Sequence, residues 1–84
     1  MPYLIVEYRH DPPITDDELF DASVALEPCL KVRNVRKLRS YVSEDHTRGF
    51  CEFEAADAES VREAYRVAKV KFEQVWPAEL YGPP

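Results

Sequence analysis

The run from Arg39 to Glu54 constrains the fold most, because it reads as two strands joined by a polar turn. Val35 to Ser43 carries branched and aromatic residues at its ends with basic residues between them. Phe50 to Phe53 is the second strand, and Glu44 to Gly49 is the connecting loop, in which Gly49 is suited to a positive φ. The same hairpin holds Glu44, Asp45, His46, Cys51, Glu52 and Glu54, most of the metal-capable side chains of the chain. No spacing among them is a catalytic signature. The residues therefore give a fold and a candidate site, and they leave open whether the chain is an enzyme.

Other elements flank the hairpin. Tyr3 to Tyr8 reads as a first strand that Asp11-Pro-Pro13 stops, since consecutive prolines cannot donate to a sheet ladder. Thr15 is a natural N-cap, with Asp16, Asp17 and Glu18 in the first turn and Glu18 completing a capping box. Leu19, Phe20, Val24 and Leu30 fit the apolar stripe of this helix, and Pro28 predicts a bend, or a new short helix, around Leu26 to Cys29. Asp57 caps a second helix through about Lys69, with Val61, Ala64, Tyr65 and Ala68 on its apolar face. Phe72 to Leu80 reads as a last strand in which Pro77 requires an edge or a bulge, and Tyr81 to Pro84 as a tail. The order βαββαβ is that of an α+β, ferredoxin-like domain: one four-stranded antiparallel sheet with both helices on one face. It spans 1–84 as a single domain.

With 84 residues and 45% hydrophobic content, the chain supports one small core that gains from oligomerisation or a metal. Its formal net charge of -5 disfavours nucleic acid and favours a cation as partner. Met1-Pro2 leads directly into the first strand without a basic, long apolar leader, so the expected setting is cytoplasmic, with neither signal peptide nor membrane helix. Cys29 and Cys51 lie in different elements and are expected as thiols in a reducing compartment, packed as small hydrophobes.

Period-two alternation assigns the two sheet faces. Cys51 and Phe53 are expected under the helices, with Gly49, Leu38, Ser40, Val42, Leu4, Val6 and Tyr8. Tyr3, Ile5, Glu7, Arg9, Lys37, Arg39, Tyr41, Phe50, Glu52, Glu54 and Trp76 are expected on the open face. That face is too apolar to leave in water, so a sheet-on-sheet homodimer, a dimeric α+β barrel, is expected to cover it. Such a dimer can also enclose a cleft lined by Glu7, Arg39, Tyr41, Glu52 and Trp76.

Ser40-Tyr-Val-Ser-Glu-Asp45, Phe50-Cys-Glu-Phe-Glu-Ala55 and Asp57-Ala-Glu-Ser-Val-Arg62 together resemble a family of small bacterial ferredoxin-like domains of unknown function that includes a nickel-binding homodimer. Ile5-Val-Glu7 is similar to the family's first strand. Arg9-His-Asp-Pro-Pro-Ile-Thr15 departs from it by lacking a glycine-containing turn. The resemblance implies a homodimer that binds nickel or another divalent transition metal. Imidazole, carboxylate and thiolate donors suit such an ion. The candidate ligands are His10, beside Asp11 and Glu7, and His46, beside Glu44 and Asp45, together with Glu52; against them stand a solvated turn at each histidine and an ion pair of Glu52 or Glu54 with Arg39 or Lys37. Tyr3, Arg39, Tyr41, Phe50, Glu54 and Trp76 belong to the cleft or dimer face. The first functional reading is a metal-binding homodimer that sequesters or senses nickel. The second is a cofactor-free dimeric α+β barrel enzyme, or a small-molecule-binding protein using the open-face cleft. The third is an interaction module whose face only dimerises.

Overall fold

A computed structural model describes residues 2–82. Six elements follow in order: β1 (Tyr3–Arg9), α1 (Asp16–Lys31), β2 (Arg36–Val42), β3 (Arg48–Glu54), α2 (Ala58–Ala68) and β4 (Gln74–Ala78). The strands lie side by side as β2-β3-β1-β4, with every neighbouring pair antiparallel. This is the ferredoxin-like arrangement that the element order implies. The expected tail lies partly outside the described residues, at Pro83 and Pro84.

Both helices begin where their caps demand. The Thr15 hydroxyl accepts from the Glu18 N–H at 3.1 Å while the Glu18 carboxylate accepts from the Thr15 N–H at 2.9 Å. These bonds hold the Glu18 carboxyl below its usual range. At α2 the Asp57 carboxylate accepts from the Ser60 N–H at 2.7 Å, so a donor left over at the helix start is satisfied. The α2 end closes with Lys69 in the left-handed conformation, φ 59°, and Val70 N–H bonding back to the Tyr65 carbonyl at 3.0 Å.

Several sequence expectations are corrected. Helix α1 runs through Pro28 as one helix, so no second helix begins there. Proline removes the donor for the Val24 carbonyl, and Val24 is exposed, where water can supply one. The inward stripe of α1 is also displaced. Phe20 is 69% exposed and Val24 55%, while Leu26 and Leu30 are buried and Cys29 packs against them. Leu26, Cys29 and Leu30 recur at the spacings of one helical face, which excludes positions 20 and 24. The last strand is shorter than expected because Phe72 leaves the ladder to pack edge-on against Tyr65, ring centroids 5.5 Å apart. Pro77 is accommodated because β4 is an edge strand.

The hairpin turn is built by side chains rather than by glycine. Asp45 accepts from the hydroxyls of Ser43 and Thr47, each at 2.7 Å, and from the Thr47 N–H at 3.1 Å. His46, not Gly49, takes the left-handed position at φ 59°. Gly49 lies inside β3, where a Cβ would collide with the Tyr41 carbonyl oxygen and stand 2.5 Å from the Tyr8 hydroxyl. Its missing side chain gives the Tyr8 ring a place over the strand.

A bulge between Lys37 and Arg39 shifts the register of β2. Lys37 pairs with Phe53 and so joins the helix side, contrary to its expected open-face position. Leu38 does not belong to the buried cluster that it was expected to join. On the helix side Leu4, Val6, Phe53 and Val61 are the largest fully buried side chains, and Phe53 meets Tyr65 edge to face at 6.2 Å.

Two outcomes follow. Gly49→Ala is expected to cost about 1–3 kcal/mol in chemical denaturation, because the added methyl meets backbone on one side and Tyr8 on the other; an unchanged midpoint would contradict this. The Ser43 hydroxyl, then Thr47, holds the Asp45 carboxyl down at about 2. Its folded value lies below the unfolded one, so the turn's contribution is present above the ordinary carboxylate range and is lost as pH falls through about 2. The Asp45 carboxyl-carbon NMR resonance is therefore expected to titrate near 2, and Ser43→Ala to raise that midpoint; an ordinary midpoint in the unsubstituted protein would contradict the turn geometry.

Candidate functional site

Strand register arranges most of the open face in three rows running across the sheet, with Arg9 opposite Arg48 beyond the first. Gln74, Glu7, Phe50 and Tyr41 form the first; Trp76, Ile5, Glu52 and Arg39 the second; Ala78, Tyr3, Glu54 and Arg36 the third. Each row is a set of cross-strand neighbours close enough for side chains to touch. The face therefore assembles Tyr3, Glu7, Arg39, Tyr41, Phe50, Glu52, Glu54 and Trp76, the residues expected there. Arg36 and Gln74 join them. Gln74 was legible from the alternation 74, 76, 78, whereas Arg36 reaches this face only because the bulge resets β2.

Several polar groups on this face are partnered, while no ion pair among the described residues engages Arg9 or Arg48. The Glu7 carboxylate accepts from the Gln74 amide at 2.6 Å and the Trp76 indole N–H at 2.7 Å. Arg39 donates to Glu52 at 2.9 Å, and Arg36 pairs with Glu54 at 2.7 Å. What remains open is aromatic: Tyr41 is 48% exposed, Trp76 40% and Phe50 38%, and the Tyr41 and Phe50 rings lie 4.9 Å apart. Exposed rings beside hydrogen-bonded carboxylates resemble an interface more than a solvated surface.

The two histidines stand at one end of the sheet, where the loop after β1 meets the β2–β3 hairpin. His10 N–H donates to the Thr47 carbonyl at 2.7 Å, and Ile14 N–H to the His46 carbonyl at 2.9 Å. The His46 Nδ1 lies 2.9 Å from the Ile14 carbonyl oxygen, which accepts only, so Nδ1 is the donor and Nε2 is the nitrogen free to ligate in the neutral ring. A ring fixed in this way is the usual preparation of an imidazole ligand. Asp16 lies 3.9 Å from the same nitrogen. His10 stacks edge-on to Tyr8, ring centroids 5.4 Å apart.

Among the described residues, no three His, Cys, Asp or Glu side chains are grouped to hold a metal ion. Glu7 and Glu52 lie on the open face, bonded to Trp76 and Arg39, while His10 and His46 lie at the loop end. A single copy therefore does not offer a finished transition-metal site from these donors. No helix among the described residues is long and apolar enough to cross a membrane.

A cavity of about 520 Å³ is on the other side of the sheet, between α1, the end of α2 and the strands. Cys51 lies in its wall, and the Ser40 hydroxyl donates to the Cys51 sulfur at 3.1 Å. Sequence reading placed Cys51 inward correctly but gave no sign of the space beside it. Cys51 and Cys29 are both free thiols.

Comparison with known proteins agrees with the architecture. A crystal structure of SCO4226 from Streptomyces coelicolor A3(2) superposes with a TM-score of 0.83 at 22% identity, covering 95% of this chain and 99% of that one. At that identity the likeness shows the fold. No curated protein matches the chain significantly. The model of the family described as nickel responsive protein SCO4226-like matches residues 3–77, and the chain belongs to that family.

Proposed function

We propose that this protein is a cytoplasmic homodimer that binds nickel, to sequester or to sense it, with a coordination set completed between two copies. The observation that carries the reading is the open sheet face, with exposed Tyr41, Phe50 and Trp76 set among carboxylates already hydrogen-bonded to partners. A second copy laid on this face removes aromatic surface from water, and a two-fold arrangement lets the same face serve both copies.

The family description supports a response to nickel. Nickel accepts imidazole and carboxylate donors, and His46 is held with one ring nitrogen available. The described residues of one chain group too few donors, which is the reason for assigning completion to a second copy. His10, His46, Glu7 and Glu52 are the ligands to test. Two unpaired thiols suit a reducing compartment.

Native mass spectrometry of the untagged protein tests both parts. The expected result is a dimer that retains nickel in fixed stoichiometry and loses it in His46→Ala or in His10→Ala. A monomer at micromolar concentration, or a dimer indifferent to nickel, would overturn the proposal. Phe50→Glu is expected to convert dimer to monomer in light scattering while leaving the far-ultraviolet circular dichroism unchanged, because Phe50 is exposed in the single chain.

A further inference from the structure

The helix-side cavity touches the nickel reading only at His10, and its walls are chemically specific. Its volume of about 520 Å³ falls within the range of small-molecule sites, roughly 300–1,000 Å³. Ile14, Leu19, Leu26 and Val42 give it an apolar body. Tyr8, Ser40, Cys51 and Tyr65 bring three hydroxyls and a thiol to one region of the wall. Lys37, Lys69 and Lys71 border it as well.

Three features make the cavity more than a packing gap. Gly49 clears the space that the Tyr8 ring occupies, so the tyrosine lies along the wall instead of being pushed off the strand. The β2 bulge turns Lys37 from the open face to this side, and bulges commonly re-aim a side chain in this way next to a site. The α2 cap holds Lys69 in a left-handed conformation that glycine usually takes, at the cavity border.

The charges have a sign. No ion pair among the described residues engages Lys37, Lys69 or Lys71, although the chain carries a formal net charge of -5. Two carboxylates, Glu18 and Asp21, also line the cavity, but Glu18 is committed to the α1 capping box. Burial, then Cys51, pushes the Tyr65 phenol well above its usual range, so it stays a neutral hydroxyl that can donate. Burial raises Tyr8 in the same direction.

We infer that this cavity binds a small organic carboxylate with a compact apolar or aromatic body, its carboxylate toward Lys37 and its body between α1 and the sheet. The site is separate from the dimer face, since it opens on the opposite side of the sheet, and His10 stands at its edge.

Cys51 lies in the cavity and Cys29 does not line it, so the two thiols report on occupancy and provide an internal control. The probe is hydrocinnamate, compared with the uncharged hydrocinnamyl alcohol, and the readout is the rate of iodoacetamide alkylation at each cysteine, resolved by peptide mass mapping. Hydrocinnamate is expected to slow Cys51 alkylation saturably while leaving Cys29 unchanged, with the alcohol markedly weaker. Lys37→Met, an exposed position whose loss leaves the core intact, is expected to raise the half-protecting concentration about tenfold, the loss of one charge-assisted contact. Absence of saturable protection, equal protection of both thiols, or equal protection by acid and alcohol would overturn the inference. So would Lys37→Met behaving as the unsubstituted protein.

Discussion

The register of β1 against β3 decides the character of the whole molecule. With helices on one side only, a strand residue faces either the core or the uncovered surface, and a slip of one position would exchange them. Pairing Leu4 with Phe53 and Val6 with Cys51 gathers the apolar set beneath the helices. The same register sets Ile5 beside Glu52 and Glu7 beside Phe50 on the other side. Burial of Phe53, Leu4 and Val6 fixes it, since exposing all three would cost several kcal/mol, at about 1.5–3 kcal/mol for each large apolar side chain.

The two sides then acquire different chemistry. On the open side, Arg39 with Glu52 and Arg36 with Glu54 are partly exposed pairs worth about 0–1 kcal/mol each in water, too little to explain the face as a stabilising device for one chain. Their effect is to pair Glu52 and Glu54 beside the aromatic surface, which lowers the cost of covering it. On the helix side, α1 and the strands enclose a space walled by apolar residues, hydroxyls and lysines. One sheet thus offers a surface suited to a second copy and a separate hollow suited to a small anion.

Legibility in the sequence followed the range of the interactions. The capping box at Thr15 and Glu18, the Asp57 cap and the apolar face of α2 are local patterns, and they appear where the residues put them. Alternation placed Tyr3, Glu7, Tyr41, Phe50, Glu52 and Trp76 on one face because period two survives wherever a strand is regular. It failed at Lys37, where one extra residue reverses the side and no residue type announces it. The roles of His46 and Gly49 were exchanged for a different reason: glycine tolerates a positive φ but is equally required where Tyr8 and the Tyr41 carbonyl crowd a strand. In α1, Phe20 and Val24 look like core residues by type, and only the direction in which the helix meets α2 and the sheet shows otherwise. The joining of the His10 and His46 loops, and the cavity beside Cys51, depend on tertiary spacing that no segment of sequence encodes alone.

The central claim is that the loop end and open face of the sheet, rather than the thiol side, receive the metal. Amide NMR spectra recorded during stepwise addition of paramagnetic nickel to the untagged protein test it most directly, because broadening marks residues near the ion. The account predicts early loss of signals around His10 and His46 and along the neighbouring open-face strands, with those around Cys29 and the middle of α1 persisting. Broadening centred on Cys51 or Cys29, or none at stoichiometric nickel, would contradict it.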